Sequence, residues 1–360
     1  MNEALSTEVV PQVEADQVRF PADAYSFGDP ESVLDRRELS QYFEVWHNGR
    51  WYEAPLPMCK LAQVFNMAPY HRSAIGLKVN MLVAQQQPSR WLSADDFERF
   101  ALDFCQMGNG YLEWVPNMAG RLARAAHSPA VHTRVGVDPG VFWFINAPIG
   151  QQYSFPQGRM FQLQQPDPAQ EIYGMPEWLA ALQSALLSEN ATLFRRRYFK
   201  NGAHLGFILQ INDPLVDTKT IDLIKEKLAQ GKGAGNFRNM LLYTPGGKKD
   251  SVQLIPVGEV NAKDDFLNIK NISRDDMLAA HRTPPLLIGV IPQNASGLGK
   301  VTEVRDDYYQ FEVVPVATRM LRMNAWFGVP VLSFADYVCS DGAVIRQVGE
   351  GFQKVAAGVR

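Results

Sequence analysis

An α+β fold is what this 360-residue sequence predicts, and three observations carry it. Helical runs with their own start and stop signals lie before residue 108 and after residue 171. Short aromatic strands bounded by Gly, Pro and Asn lie between them. A further strand-bearing stretch sits between two long helices.

The first 25 residues are polar, acidic and without periodicity, and read as a flexible tail. In Tyr42–Tyr52, Asn48-Gly49 separates two aromatic runs, a hairpin signal because both residues tolerate positive φ. Helices follow over MCKLAQVFNMA and YHRSAIGLKVNMLV. Ser93-Ala-Asp-Asp96 caps a third, which carries Phe97, Phe100, Ala101 and Phe104 on one face and stops at Gly108. Tyr111–Val115, Val141–Ile145 and Arg159–Leu163 read as strands.

From Glu171 to Gly206 the spacing predicts one long helix. Pro176 suits its first position, Glu177 faces its positive end, and Arg195, Arg196, Arg197 and Lys200 complement its negative end before Gly202. Trp178, Leu182, Ala185, Leu186 and Leu193 share an arc that Arg196, Arg197 and Lys200 rejoin one or two turns later. This is either a core helix with a basic end or a helix leaving one domain for another.

Beyond it come a strand at Leu205–Ile211, a short helix from about Thr218 to Gly231, and strands at Phe237–Tyr243 and Ser251–Pro256. The turn TPGGKKD joins the last two and exposes Lys248 and Lys249. A helix from about Asn261 has Phe266, Ile269 and Ile272 on one side, and brings Lys263, Lys270 and Arg274 within about 40° of one another. That basic stripe is a solvated face or a contact surface. The helix ends at His281-Arg-Thr-Pro-Pro285, a long loop runs to Lys300, and a last helix from Val301 should kink at Pro315. After Asn324, short strands or irregular structure around Val331–Phe334 are expected.

A net charge of −3 argues against a global field for nucleic acid or anionic membrane. Cys59, Cys105 and Cys339 lie far apart and read as buried small hydrophobes in a reduced compartment, with neither a disulfide nor a metal site expected. No signal peptide or apolar run of membrane-spanning length is expected. Gly231–Gly235 and Gly299-Lys300 resemble phosphate loops only superficially: the first follows a helix, and the second lacks the upstream Gly and the following Ser or Thr. The six histidines have no metal-ligand spacing, no nucleophile elbow occurs, and no catalytic residue or cofactor is expected.

Five motifs in order, G-N-G-Y-L-E-W at Gly108–Trp114, D-P-x-x-E-I-Y-G-x-P-E-W-L at Asp167–Leu179, R-R-Y-F-K-N-G-A-H at Arg196–His204, D-D-F-L-N-I-K-N-I-S-R-D-D at Asp264–Asp276 and A-A-H-R-T-P-P-L-L-I-G at Ala279–Gly289, resemble the portal proteins of tailed bacteriophages. The branch resembled is the PBSX type of temperate contractile-tailed phages, over roughly Tyr25–Phe334. The resemblance implies a ring, normally of twelve subunits, at one capsid vertex of the virion, assembled in the bacterial cytoplasm, with double-stranded DNA passing through its channel. It implies as partners the terminase large subunit, scaffold or major capsid protein, and head-completion or neck proteins.

It further implies a division into the tail (1–25), an α/β wing (26–170), a first stem helix (171–205), an inserted α/β clip (206–258), a second stem helix (259–283), a tunnel loop (284–300), and a Pro-kinked wing helix with a C-terminal segment (301–360). Gln293, Asn294, Ser296, Gly297, Gly299 and Lys300 of the loop, with Lys263, Lys270 and Arg274, become the channel candidates. Lys248 and Lys249 become clip docking candidates, and Trp178, Leu182 and Leu186 candidates for the subunit interface. The competing expectations are a nucleotide-dependent DNA-processing component of the packaging apparatus and a capsid adaptor without a channel.

Overall fold

The capping signal at Ser93 forms as the sequence requires. In the computed structural model, which describes residues 46–146, 149–200, 207–211, 240–243, 252–256, 262–290 and 300–356, Ser93 Oγ accepts the Asp96 amide at 3.1 Å. Gly108 ends the helix at φ 71. Two helices precede it, α1 (Met58–Val64) and α2 (Pro69–Gln85), and the capped helix is α3 (Ala94–Met107). Phe97, Phe100, Ala101 and Phe104 of α3 are buried, as their spacing dictates.

The core lies between α3 and the sheet β2-β1-β6, formed by β1 (Asn109–Pro116), β2 (Leu122–His127) and β6 (Met160–Gln164), with both partners antiparallel to β1. Gly110 lets the Phe100 ring lie against the strand, because a Cβ there would stand 2.7 Å from it. A second sheet, β3-β4-β5, contains Thr133–Val135, Phe142–Asn146 and Gln151–Ser154. Thus the three aromatic runs are strands. Strands β2, β3 and β5, which no aromatic run marks in the sequence, complete the two sheets.

The expected hairpin at Asn48-Gly49 is a turn in which Asn48 Oδ1 accepts the amides of Arg50 and Trp51, closed by a single bridge between His47 and Tyr52. Gly49 supplies φ 88 there. Cys339 is buried and Cys105 half-buried, but Cys59 is exposed, so the expectation of three buried thiols fails at the first turn of α1.

The long central helix starts more tightly than its pattern suggests. Pro176 stands one position before a 3₁₀ turn (Glu177–Ala181), and the α-helix proper is α4 (Leu182–Lys200). Three strands follow, β7 (Phe207–Ile211), β8 (Met240–Tyr243) and β9 (Val252–Pro256). Although β8 and β9 are neighbours in sequence, they do not pair with each other: β7 is central, parallel to β8 and antiparallel to β9. The turn expected at TPGGKKD, with Lys248 and Lys249, lies outside the described residues.

Helix α5 (Ala262–Ala280) returns the chain, and a 3₁₀ turn at Pro285–Ile288 follows it. On α5 the described inward positions are Ser273, Met277 and Leu278, whereas Ile272, on the side expected to carry Phe266 and Ile269, is 62% exposed. Pro315 acts on the last helical rod, but through its hydrogen bonding. Helix α6 (Val301–Tyr308) widens into a π turn (Tyr309–Val313), and α7 (Val314–Phe327) begins with Pro315 in its first turn, where a missing N–H costs least. The chain closes with an antiparallel meander, β10 (Tyr337–Val338), β11 (Val344–Val348) and β12 (Gly351–Val355).

Candidate functional site

The two long helices meet the α+β body at a junction. Ser184 Oγ, near the start of α4, donates to Asp276 Oδ2, near the end of α5, at 2.8 Å, which makes the pair antiparallel. Ala181, Ala185 and Met277 pack with Ala68 between them, and small side chains at these positions let the backbones come close.

The end of α5 fixes the chemistry of this junction. Thr283 N–H donates to Leu278 O at 2.9 Å and Arg282 N–H to Ala279 O at 3.0 Å, the paired bonds of a Schellman cap. Its left-handed position, usually glycine, is held by Arg282 at φ 51, the single non-glycine residue with positive φ among those described. An L residue there costs about 1–2 kcal/mol. The arginine side chain accounts for the choice: its guanidinium donates to Glu177 Oε2 at 2.5 Å and to Glu312 Oε1.

Glu312 sits in the π turn, and its other oxygen accepts from Lys78 Nζ of α2 at 3.0 Å, with both side chains about nine-tenths or more buried. Burial disfavours the Lys78 charge. Its pKa is raised all the same because Glu312 supplies the opposite charge, while the neighbouring Cys105 thiol, pushed up to about 11 by burial, stays neutral. On the far side, Glu177 Oε1 accepts from Gln165 Nε2 at 2.7 Å and lies 3.5 Å from Arg319 of α7. One connected ionic set thus spans α2, the turn before α4, the end of α5, the π turn and α7.

A neutral chain of hydrogen bonds lies beside it. Gln106 Nε2 donates to Leu61 O at 2.6 Å, which fixes its amide so that Oε1 accepts from His71 Nε2–H at 3.1 Å. His71 Nδ1 is then the acceptor for His281 Nε2–H at 2.9 Å. The Trp178 ring packs edge-on at 4.5 Å from the His71 ring, and its N–H donates to Gln106 O. Burial lowers His71 to about 4. Burial, then the nearby His71, Lys78 and Arg282, lowers His281 to about 3.

Both rings are therefore neutral in the folded chain, whereas the unfolded chain takes up protons below pH 6.5. Their contribution is complete above pH 6.5 and is lost as the pH falls towards 4. At pH 5 the loss is about 2 kcal/mol per ring. Urea unfolding of the wild type should weaken between pH 7 and pH 5 by about 4 kcal/mol more than that of a His71→Phe, His281→Leu variant; equal slopes would show that these rings do not govern acid stability.

The predicted site residues fall elsewhere. Trp178, Leu182 and Leu186 are 2%, 1% and 6% exposed and belong to the core of a single chain, so their assignment to a subunit interface is corrected: their apolar arc is satisfied by the chain's own body. Lys270 is half-buried on α5, and Arg274 is engaged by Asp275 Oδ1 at 2.8 Å and Asn271 Oδ1 at 3.2 Å, which leaves it no free cation. Lys300 is exposed before α6, 3.8 Å from Glu303. The Lys263 side chain, Lys248, Lys249, Gln293, Asn294, Ser296, Gly297 and Gly299 lie outside the described residues, as do the tail, the helix expected from Thr218 and the Gly202 cap.

The junction residues escaped sequence reasoning, although His281-Arg282 lies within one of the motifs. Among the described residues, no group of three or more His, Cys, Asp or Glu is placed to hold a metal ion, and no helix is long and apolar enough to cross a membrane.

A family model described as "Phage portal protein" matches residues 78–334. The sequence is 42% identical over 315 residues to the probable portal protein of Escherichia phage P2, covering 88% of this chain and 91% of that protein. It is 35% identical over 273 residues to the probable portal protein of Haemophilus phage HP1 (strain HP1c1), covering 75% and 79%. Among solved structures, a chain from the neck of a native gene transfer agent particle, computed with C12 symmetry, has the same fold. The TM-score is 0.55 at 16% identity, over 76% of this chain and 83% of that one.

Proposed function

Because the chain belongs to the phage portal protein family, we propose that identical copies close into a ring, twelve in number, at one capsid vertex of a temperate contractile-tailed phage of the PBSX type, and that DNA enters and leaves the capsid through its channel. The observation that carries this reading is the 42% identity across 88% of the chain, a span long enough to include both long helices and the strands between them. The portal is a structural channel and docking ring, with no catalytic residue of its own.

In this reading α4 and α5 are the stem, and β7, β8 and β9 belong to a clip whose Lys248 and Lys249 meet the terminase large subunit and later the head-completion and neck proteins. Scaffold or major capsid protein holds the wing. Subunit contacts fall to apolar side chains left exposed on the stem, Leu187 and Ile272 among them, in place of the buried Trp178, Leu182 and Leu186. Assembly takes place in the bacterial cytoplasm.

Residues 284–300 form the tunnel loop. Gln293, Asn294 and Ser296 offer neutral donors that touch phosphates without holding them, and Gly297 and Gly299 let the loop follow a helix whose symmetry differs from the ring's. Arg274 is already neutralised by Asp275, and Lys300, Lys263 and Lys270 are the channel's cations. They are few, which suits a duplex that must move, since affinity climbs with every phosphate neutralised.

Replacing Gly297 and Gly299 together by proline is expected to leave ring assembly and capsid incorporation intact and to lower the yield of filled heads about tenfold, measured by nuclease-protected DNA. Full genomes at normal yield would remove the tunnel-loop assignment. Loss of rings would place the segment in the subunit core.

A further inference from the structure

Strand β2 lies at the edge of its sheet, and a groove of about 510 Å³ runs beside it, lined by Arg90, Trp91, Asn117, Arg121, Ala123 and Val329 among others. Two features make this groove more than a surface irregularity. Its cations are unclaimed: Arg90 and Arg121 are exposed, and among the described residues neither forms an ion pair. Arg90 is also held in place, with its guanidinium 4.2 Å over the Trp91 ring, so less side-chain freedom is lost when it binds an anion.

The second feature is backbone. The chain's own Trp91 carbonyl accepts the Ala125 amide at 2.7 Å, so segment 91 already behaves as a partial neighbour to the edge of β2. Towards the start of the strand, the register between β1 and β2 slips between Val115 and Pro116, where Arg124 and Leu122 are the partners, leaving Ala123 as an exposed bulge facing the groove. The Trp91 carbonyl and the bulge close this edge to ladder pairing, and leave beside it a groove with a small side chain and two unpaired guanidiniums, open to an extended segment held by its side chains.

We propose that this groove binds an extended acidic segment of a partner protein, which passes Ala123 and places carboxylates on Arg90 and Arg121. Guanidinium forks match carboxylates in bidentate geometry, and an extended segment presents its side chains alternately, so every second residue faces the same wall. Duplex DNA fits poorly. Two free arginines neutralise two phosphates where non-specific duplex binding uses about 6–10, and the ring that could stack on a base is already covered by Arg90. The inference does not depend on the ring, because every residue it uses lies on one chain.

The test uses the full-length protein and a fluorescein-labelled peptide of five Glu-Val repeats, titrated by anisotropy. Saturable binding is expected, weakened at least about tenfold in Arg90→Glu, Arg121→Glu and to a smaller extent in Arg90→Gln, Arg121→Gln. Arg124→Glu makes the same charge change on an exposed neighbour that does not line the groove and faces Glu113, and should alter affinity by less than about threefold. Hydrogen exchange of the amides of residues 121–124 should slow when the peptide binds. The proposal is overturned by absence of saturable binding, by unchanged affinity in the Arg90/Arg121 variants, by an equal loss in Arg124→Glu, or by a 20-base-pair duplex that binds more tightly than the peptide through the same two arginines.

Discussion

Replacing Gly174 with alanine is expected to abolish the native fold or to destabilise it by more than about 4 kcal/mol. A Cβ at this position would stand 2.1 Å from Gly108 O and 2.4 Å from Gln165 N, both backbone atoms that no rotamer change can move. The closeness is built by Asn109, whose Oδ1 accepts the Gly174 amide at 2.8 Å while its Nδ2 donates to Gly174 O at 2.7 Å. Asn109 is fully buried, so this pair of hydrogen bonds locks the segment before α4 to the start of β1. Gly120→Ala is the matched control. Unlike Gly174 it has positive φ, 73°, but nothing lies within 4 Å of an added Cβ, so only the left-handed strain of about 1–2 kcal/mol is expected, without the clash. Comparable urea midpoints for the two variants would show that the Gly108–Gly174 contact is looser than described.

The second large effect concerns Glu312. Truncation to alanine should cost about 3–5 kcal/mol, because it strands the Lys78 ammonium, whose side chain is 7% exposed, and removes one of the two carboxylates holding Arg282. Removal of both buried partners together, as Lys78→Met with Glu312→Leu, should recover most of that loss, since a buried ion pair and an apolar pair of similar volume are close in free energy. The double-mutant cycle therefore separates the penalty of an unpaired charge from the worth of the pair. If the double variant is as unstable as Glu312→Ala, the damage lies in the Arg282 contact, where the strained cap loses the partner that justifies it.

Both predictions fall on residues that pattern reading handled unequally. Helix α3 was legible because its start, inward face and stop are all local signals, and Ser93, Phe97 and Gly108 behave as those signals demand. The aromatic strands were legible for the same reason. The junction was not, because its contacts join residues far apart in the chain: His71 meets His281 across 210 positions and Lys78 meets Glu312 across 234. Neither spacing leaves a trace in a single sequence.

Trp178, Leu182 and Leu186 fail as interface candidates for a related reason: an apolar arc states that a face is covered but not by which chain. Pro315 shows a third kind of gap. The proline predicts interruption, but whether a helix bends sharply or widens into a π turn depends on packing around Tyr309 and Glu312, both buried. The motifs carried family membership without any of this detail, since they hold glycines and caps, such as Gly174 and His281-Arg282, whose purpose is visible only once their partners are placed.

Electron microscopy of the purified full-length protein in negative stain tests the central claim most directly. A portal predicts closed rings of one size with a stain-filled central hole, twelvefold in averaged end views, and still formed by the Gly297→Pro, Gly299→Pro variant. Particles that remain monomeric at concentrations well above those used for imaging, or that close into assemblies without a hole, would contradict it.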